Sequence, residues 1–516
     1  MKSKGILLPV FSLPSRYGIG DFGAEAYKFV DFLAETGQNI WQILPLNPTS
    51  FGDSPYQSPS AYAGNPYFID LEALFREGLL TAEELAGQAE PQGNIDYARL
   101  YERRYEILRL AFSRFDANGA DFMRFCAQTP WLADYCDFMA LKDKNGGRSW
   151  QSWPEAERRR GSARAPEGEA KFYAFLQFWF FRQWKALKGY ANEKGIRIVG
   201  DLPIYVSADS ADVWSQPAYF QLDENLCPTA VAGVPPDGFT PDGQLWGNPL
   251  YNWERLEEEG FAWWIERFRA AFEMYDMVRV DHFRGFAAYF AVPFGDSTAK
   301  NGKWVQAPGK ALFAKVKEAF PAAPVWAEDL GYLDESVREL LAYTGYPGMK
   351  ILQFAFDSKN SEYLPKNYPA NCVAYTGTHD NMTSRQYLEG VRGMAKWRVR
   401  LCTRRKLRET RTHAFVRAVL QSRADTAVIP MQDYLELGEE ARVNTPSTLG
   451  GNWVWRLPQN YRELYFLRQK NRPRVKKWKY RGILNLKKPT KTKRRTGSVR
   501  LLLFRMFRCG AHCAPL

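Results

Sequence analysis

The sequence predicts an α/β fold, a (β/α)8 TIM barrel with inserted, mainly helical subdomains and long loops over the C-terminal face of its strands. Three observations predict it. Short apolar runs that end in polar or acidic residues recur along the chain, as strands buried on both faces do. Segments of helical periodicity lie between them, the alternation of a parallel α/β sheet. Carboxylates close several of the runs, and in such barrels the active site lies at the C-terminal ends of the strands. The 516 residues, 45% of them hydrophobic, exceed one minimal domain and fit one large barrel with insertions as well as three small domains. No repeat at a solenoid or propeller period is visible.

Taken in order, residues 2–13 carry Lys2, Lys4 and a short apolar run in the outline of a signal peptide. Pro9 interrupts that run, and no clear small-residue cleavage site follows. A helix is predicted over Ala24–Thr36 and a strand over Asn39–Leu46. Leu71–Glu169 leaves the alternation and reads as a helical insertion of about residues 71–170, with the charged run Glu155–Arg164 as a solvated loop. Helix Lys171–Lys194 and strand Ile196–Ile204 resume the pattern. Residues 233–253, rich in Gly, Pro and aromatics, read as a long functional loop. Helix Trp253–Phe272, strand Met277–Asp281, helix Lys310–Phe320 and strands Pro324–Asp329, Met349–Phe356, Cys372–Asp380 and Thr426–Gln432 follow.

The net charge of +13 belongs to one end of the chain. From Leu467 onward there are 17 Lys and Arg and no Asp or Glu, which leaves the rest at −4. The body therefore lacks the basic footprint of a nucleic-acid binder, and the tail lacks the regularly interleaved aromatics that such binding uses. Seven cysteines, odd in number and scattered, point to a reducing cytoplasm rather than a disulfide framework. No stretch approaches the apolar length of a membrane span. The 17 Trp, 27 Tyr and 34 Phe suit core packing and equally a sugar cleft, where a pyranose face stacks on an aromatic plane.

Three strand ends carry chemistry. In Val278-Arg279-Val280-Asp281-His282, Arg279 and Asp281 stand two apart and project to one face, so Arg279 holds Asp281 ionised as a nucleophile requires. In Val325-Trp326-Ala327-Glu328-Asp329, Glu328 follows an apolar run whose burial raises a carboxyl toward the range of a general acid. Tyr375-Thr376-Gly377-Thr378-His379-Asp380-Asn381 ends a strand with donors and acceptors suited to sugar hydroxyls. Two of only four histidines, His282 and His379, adjoin these carboxylates. Singly, Asp281 reads as well as a helix N-cap, Glu328 as an ion-pair partner and Thr378–Asp380 as a loop. Jointly they fit a retaining glycosyl transfer, which needs one ionised and one protonated carboxyl about 5–5.5 Å apart.

The segments VRVDHFRGF, WAEDLG and YTGTHDN resemble those of the amylomaltases, the 4-α-glucanotransferases or disproportionating enzymes of the α-amylase clan. GILLPVFSLPSRYGIGDFG, GDSPYQSPSAYAGNPYFIDLE, VGDLPIYVSADSADVW, GVPPDGFTPDGQLWGNPLYNW and EARVNTPSTLGGNWVWR extend the resemblance over roughly residues 5–457. It implies a catalytic barrel over 1–457 acting on maltooligosaccharides and α-1,4-glucans without cofactor or metal. It also implies Asp281 as nucleophile, Glu328 as general acid/base and Asp380 as a third carboxylate gripping the donor sugar. Arg279 and His379 would assist at that sugar and Asp201 would orient the site. Trp246, Tyr56 and Ser54 would line donor and acceptor subsites, and Asn452 would reach the cleft.

The sequence departs from the family in places. Met382 follows THDN where relatives usually carry Asp, and residues 385–411 hold ten Lys and Arg against Glu389 and Glu409. After about Pro458 the resemblance fades, so residues 458–516 read as a divergent basic tail, solvent-exposed and apart from the active site. Two patterns are decoys. Gly18-x-Gly20-x-x-Gly23 follows no clear strand and has no acidic residue about 20 positions on, as dinucleotide binding requires. Cys509, His512 and Cys513 offer three ligands without a second pair. A hydrolase of the same clan and a non-catalytic glucan-binding protein are the alternatives. The first would let water intercept the glycosyl-enzyme, and the second does not explain three carboxylates at strand ends.

Overall fold

The structure, a computed structural model, describes residues 2–162, 165–236, 240–331 and 333–470. Eight parallel strands close a barrel: β1 (Ser3–Leu7), β2 (Ile40–Gln42), β3 (Arg197–Leu202), β6 (Met277–Val280), β9 (Val325–Ala327), β10 (Gly348–Ile351), β11 (Cys372–Tyr375) and β12 (Thr426–Pro430). Each pairs with its predecessor in this order, and β1 meets β12 to complete the ring. β4 (Ala230–Val234), β5 (Gln244–Pro249), β7 (Ala288–Pro293) and β8 (Lys303–Gln306) form a separate antiparallel sheet in the order β5-β4-β7-β8. The expected barrel and its helical additions are thus present.

The first barrel strand lies inside the segment weighed above as a signal-peptide look-alike. Its apolar run is Gly5–Leu8, and it pairs with β12 on one side and β2 on the other. Gly5 faces Ile40, where an added Cβ would stand 2.7 Å from the isoleucine side chain, so the strands close only with glycine there. Gly20 serves packing too: a Cβ on it would stand 2.0 Å from the Val10 carbonyl. The glycines of residues 18–23 therefore fit a loop against Val10–Leu13 and precede helix Ala24–Glu35, separated from β1 by the turn Val10–Ser12.

Several expected strands end early. Residues 352–355 continue the run after β10 as a 3-10 turn that buries Leu352 and Ala355 and exposes Phe354, and residues 376–383 leave β11 as a loop. The ladder stops where the chain reaches the barrel rim. The region read as the loop 233–253 contains β5 and the end of β4. Those strands pair through main-chain groups, with Val231 opposite Pro249 and Gly233 opposite Leu245, so the Gly and Pro content did not preclude a hairpin. The charged run at 155 starts with a helical turn, Glu155–Arg158, and Glu157 is buried, accepting from Lys144 and Asn145.

Residues 71–158 form short and medium helices ahead of the 27-residue helix Glu167–Glu193. That helix buries Phe172, Phe175, Phe180 and Trp184. Phe180 and Trp184 contact Phe22. The boundary expected at residue 458 falls short of the fold. Helix Tyr461–Lys470 sets Tyr461 and Tyr465 edge-on against Phe32 of helix Ala24–Glu35, at 5.3 and 4.9 Å between ring centroids. Both tyrosines are buried, because this apolar face completes the cover of the first barrel helix. Residues 471–516, with the Cys509/His512/Cys513 pattern and most of the basic charge, lie outside the described residues. No helix among the described residues is long and apolar enough to cross a membrane.

Candidate active site

Arg279 stands at the middle of the site because β6 turns it and Asp281 to the same face. The guanidinium is 4% exposed at its side chain and holds three carboxylates. Its Nη1 donates to both oxygens of Asp201, at 2.7 and 2.6 Å, from the end of neighbouring β3. Its Nη2 lies 2.8 Å from Asp281 Oδ1 and 4.0 Å from Glu328 Oε2. Burial opposes charge on Arg279, but Asp201 and Asp281 outweigh it and raise its pKa above the ordinary guanidinium value. Asp281 and Glu328 therefore face the same small space from adjacent strands β6 and β9.

Glu328 is fixed by backbone. Its Oε1 accepts from Leu330 N–H at 2.8 Å, and its Oε2 accepts from His282 N–H at 2.9 Å. The second bond depends on His282 adopting a left-handed conformation, φ 47° and ψ 48°, which a non-glycine residue adopts at a cost of about 1–3 kcal/mol. Burial raises the pKa of both Asp281 and Glu328, and Arg279 pulls each back. The Arg279 nitrogen lies nearer to Asp281 than to Glu328, while two backbone N–H groups favour the charged form of Glu328.

A second chain of contacts runs toward Asp380. Tyr56 Oη lies 2.7 Å from Asp201 Oδ2 and 3.0 Å from His379 Nε2. A hydroxyl has one proton and an ionised carboxylate only accepts, so Tyr56 donates to Asp201 and His379 carries its proton on Nε2. The Tyr56 and His379 rings stack at 5.4 Å, and His379 Nε2 is 3.3 Å from Asp380 Oδ2. Burial lowers the pKa of His379, as it does that of His282, which falls to about 3. Both imidazoles are neutral at pH 7.

Trp246 on β5 meets the His282 ring edge-on at 4.8 Å, and its carbonyl accepts from Gln57 Nε2 at 3.3 Å. Ser54 accepts from Tyr56 N–H at 3.2 Å and so shapes the turn that presents Tyr56. Asn452 is engaged within its own loop, accepting from Thr445 N–H and donating to Thr448. The residue of that loop that reaches the carboxylates is Asn444, whose Nδ2 donates to Asp380 Oδ1 at 2.6 Å. Trp453 tilts over both Tyr56 and His379, with ring centroids 5.8 and 6.0 Å away. Asn444 and Trp453 lie in a motif the sequence singles out, EARVNTPSTLGGNW. No periodicity marks them, because their contacts depend on how the loop folds back.

Paired carboxyls at the strand ends of a parallel eight-stranded barrel, with a guanidinium between them, define a glycoside-acting enzyme. A family model described as 4-alpha-glucanotransferase matches residues 8–461. A 4-alpha-glucanotransferase of Streptococcus pneumoniae is 46% identical over 473 residues, 89% of this chain and 94% of its own. That of Thermus thermophilus is 47% identical over 477 residues, 88% of this chain and 94% of its own. Among solved structures, an amylomaltase from Streptococcus agalactiae in complex with acarbose is 41% identical, with a TM-score of 0.87 over 91% of this chain and 99% of that one. An amylomaltase from Corynebacterium glutamicum, at 21% identity and a TM-score of 0.75 over 91% of this chain and 75% of its own, shares the fold. The chain belongs to the 4-α-glucanotransferase family, and it transfers segments of α-1,4-glucan from one sugar to another.

Proposed function

We propose that transfer proceeds as a retaining double displacement, with Asp281 as nucleophile and Glu328 as general acid and then base. Arg279 occupies Asp281 Oδ1 and leaves Oδ2 to attack the anomeric carbon. As that bond forms, the glycosidic C–O bond breaks and Glu328 gives its proton to the departing oxygen. In the second half, the 4-hydroxyl of an acceptor glucose or glucan loses its proton to Glu328. The acceptor oxygen bonds the anomeric carbon and releases Asp281. Asp380 grips hydroxyls of the donor sugar with His379, Asp201 orients Arg279, and Trp246 and Tyr56 line the sugar path. The observation that carries this reading is the single Arg279 nitrogen 2.8 Å from Asp281 and 4.0 Å from Glu328. It favours charge on the nearer carboxyl and leaves the proton on the farther one.

The same reading places the enzyme in a reducing cytoplasm, which the free thiols Cys126, Cys136, Cys227, Cys372 and Cys402 support. Maltotriose tests the chemistry. The wild-type chain is expected to yield glucose and a ladder of longer oligosaccharides, and Asp281→Asn to lose both transfer and hydrolysis with its fold intact. Near-normal transfer by folded Asp281→Asn would remove Asp281 from the role. Products no longer than maltotriose would favour the hydrolase reading.

A further inference from the structure

We infer that Asp433 is a positioning residue for the donor side of the site, holding in place the loop that carries His379 and Asp380. The inference rests on the roles proposed above for those two residues. β12 lies beside β11 in the barrel, and the helical turn Met431–Leu435 follows β12 directly. That turn sets the Asp433 carboxylate under the loop that leaves β11. Asp433 Oδ2 accepts from Thr376 Oγ1 at 2.5 Å and from Ser384 Oγ at 2.5 Å. Its Oδ1 accepts from Ser384 N–H at 2.7 Å. Thr376 is the first residue after β11, and Ser384 is the first of helix Ser384–Gly390. One carboxylate thus ties both feet of the loop.

Main chain adds a further tie at the first foot, where Gln353 N–H donates to the Thr376 carbonyl at 3.3 Å. Gln353 Nε2 donates to the Met382 carbonyl at 2.8 Å, and Asn381 Oδ1 accepts from Thr378 N–H within the loop itself. His379 and Asp380 sit at the tip, against Tyr56 and Asn444. Asp433 is 1% exposed and its three hydrogen bonds all go to the loop feet, so it acts through His379 and Asp380 rather than on sugar. It makes no ion pair among the described residues, so removing its charge strands no buried cation. The carboxylate matters because three donors converge on it, two hydroxyls at Oδ2 and the Ser384 N–H at Oδ1, so both of its oxygens must accept. An asparagine keeps one acceptor oxygen and the shape, whereas alanine loses all three bonds.

The test uses the full chain and maltotriose disproportionation. Asp433→Ala and Asp433→Asn are measured alone and combined with Asp380→Asn, with kcat, KM and melting temperature for each. A loop displaced by about an ångström costs roughly 100-fold, so Asp433→Ala is expected to lower kcat about 100-fold with little change in KM. Asp433→Asn is expected to recover part of that loss, leaving a deficit of about tenfold. With Asp380 already neutralised, either substitution is expected to cost less than about threefold, because residues that act as one unit are not additive. Equal fold-losses in both backgrounds, or an unchanged kcat in the folded Asp433 variants, would overturn the inference alone. Near-normal transfer by Asp380→Asn would instead overturn the role of Asp380, and the inference with it. If Asp433→Ala does not fold, Asp433→Asn carries the same comparison, with an expected loss of about tenfold.

Discussion

At Arg279 one cation answers three acids, and the distances decide which of them stays charged. Asp201 takes two hydrogen bonds from one nitrogen, Asp281 lies 2.8 Å from the other, and Glu328 stands off at 4.0 Å. Burial raises the pKa of both reacting carboxyls. The proposed mechanism needs Asp281 ionised and Glu328 protonated, and the sign of its pH dependence follows. Activity rises as the pair loses its first proton and falls as it loses its second, and burial moves both limbs above the ordinary carboxylate range. The limbs report the pair and not either residue alone. His282, with its pKa near 3, contributes neither limb, and burial lowers His379 as well. A glucosyl fluoride donor needs little protonation. With it, Glu328→Gln is expected to keep the first half-reaction far better than with maltotriose, and to show no alkaline limb in a pH profile of fluoride release. Equal losses with both donors, or a surviving alkaline limb, would count against Glu328 as the acid. The Arg279–Asp281 pairing is legible in sequence, since residues two apart on a strand share a face. The Arg279–Asp201 pairing joins strands 78 positions apart, and nothing local announces it.

At the scale of elements, the β4–β5 hairpin brings Trp246 against His282, one residue beyond Asp281. Trp246→Ala is expected to remove a stacking plane for sugar and admit water, so transfer falls and the ratio of hydrolysis to transfer rises. Glucose and oligosaccharide release from maltotriose give that ratio, and an unchanged ratio with transfer intact would make Trp246 part of the scaffold. Helix Tyr461–Lys470 carries a second prediction. Ending the chain at Asn460 uncovers Phe29 and Phe32 and loses two buried tyrosines, a loss of about 3 kcal/mol or more. A clear fall in melting temperature is expected, whereas ending the chain at Lys470 removes none of this packing. Equal melting temperatures for the two truncations would contradict the packing role. The sequence hides this helix, because its apolar face is short and merges into a strongly basic run. Only its partners on helix Ala24–Glu35 reveal where the fold stops.

Over the whole molecule, short apolar runs, several of them closed by carboxylates, made seven of the eight barrel strands legible. The eighth, Ser3–Leu7, escapes because Lys4 and Gly5 interrupt its pattern and its partner β12 lies more than 400 residues away. The antiparallel sheet escapes for a related reason: main-chain pairing needs no apolar run, so Gly and Pro there suggest a loop. Asp281 and Glu328 are legible because each directly follows a strand, and Asp380 because it closes the polar segment after β11, while Asn444 reaches Asp380 only through the path of its loop. The proposed double displacement turns on a covalent step at Asp281, and the intact mass of the protein reads it directly. Glu328→Gln incubated with a glycosyl fluoride and no acceptor is expected to gain the mass of one glycosyl unit. Peptide mapping should place that unit on Asp281, and an added acceptor should remove it only slowly. No mass gain while fluoride is released, or a glycosyl unit mapped to another residue, would contradict the double displacement assigned here.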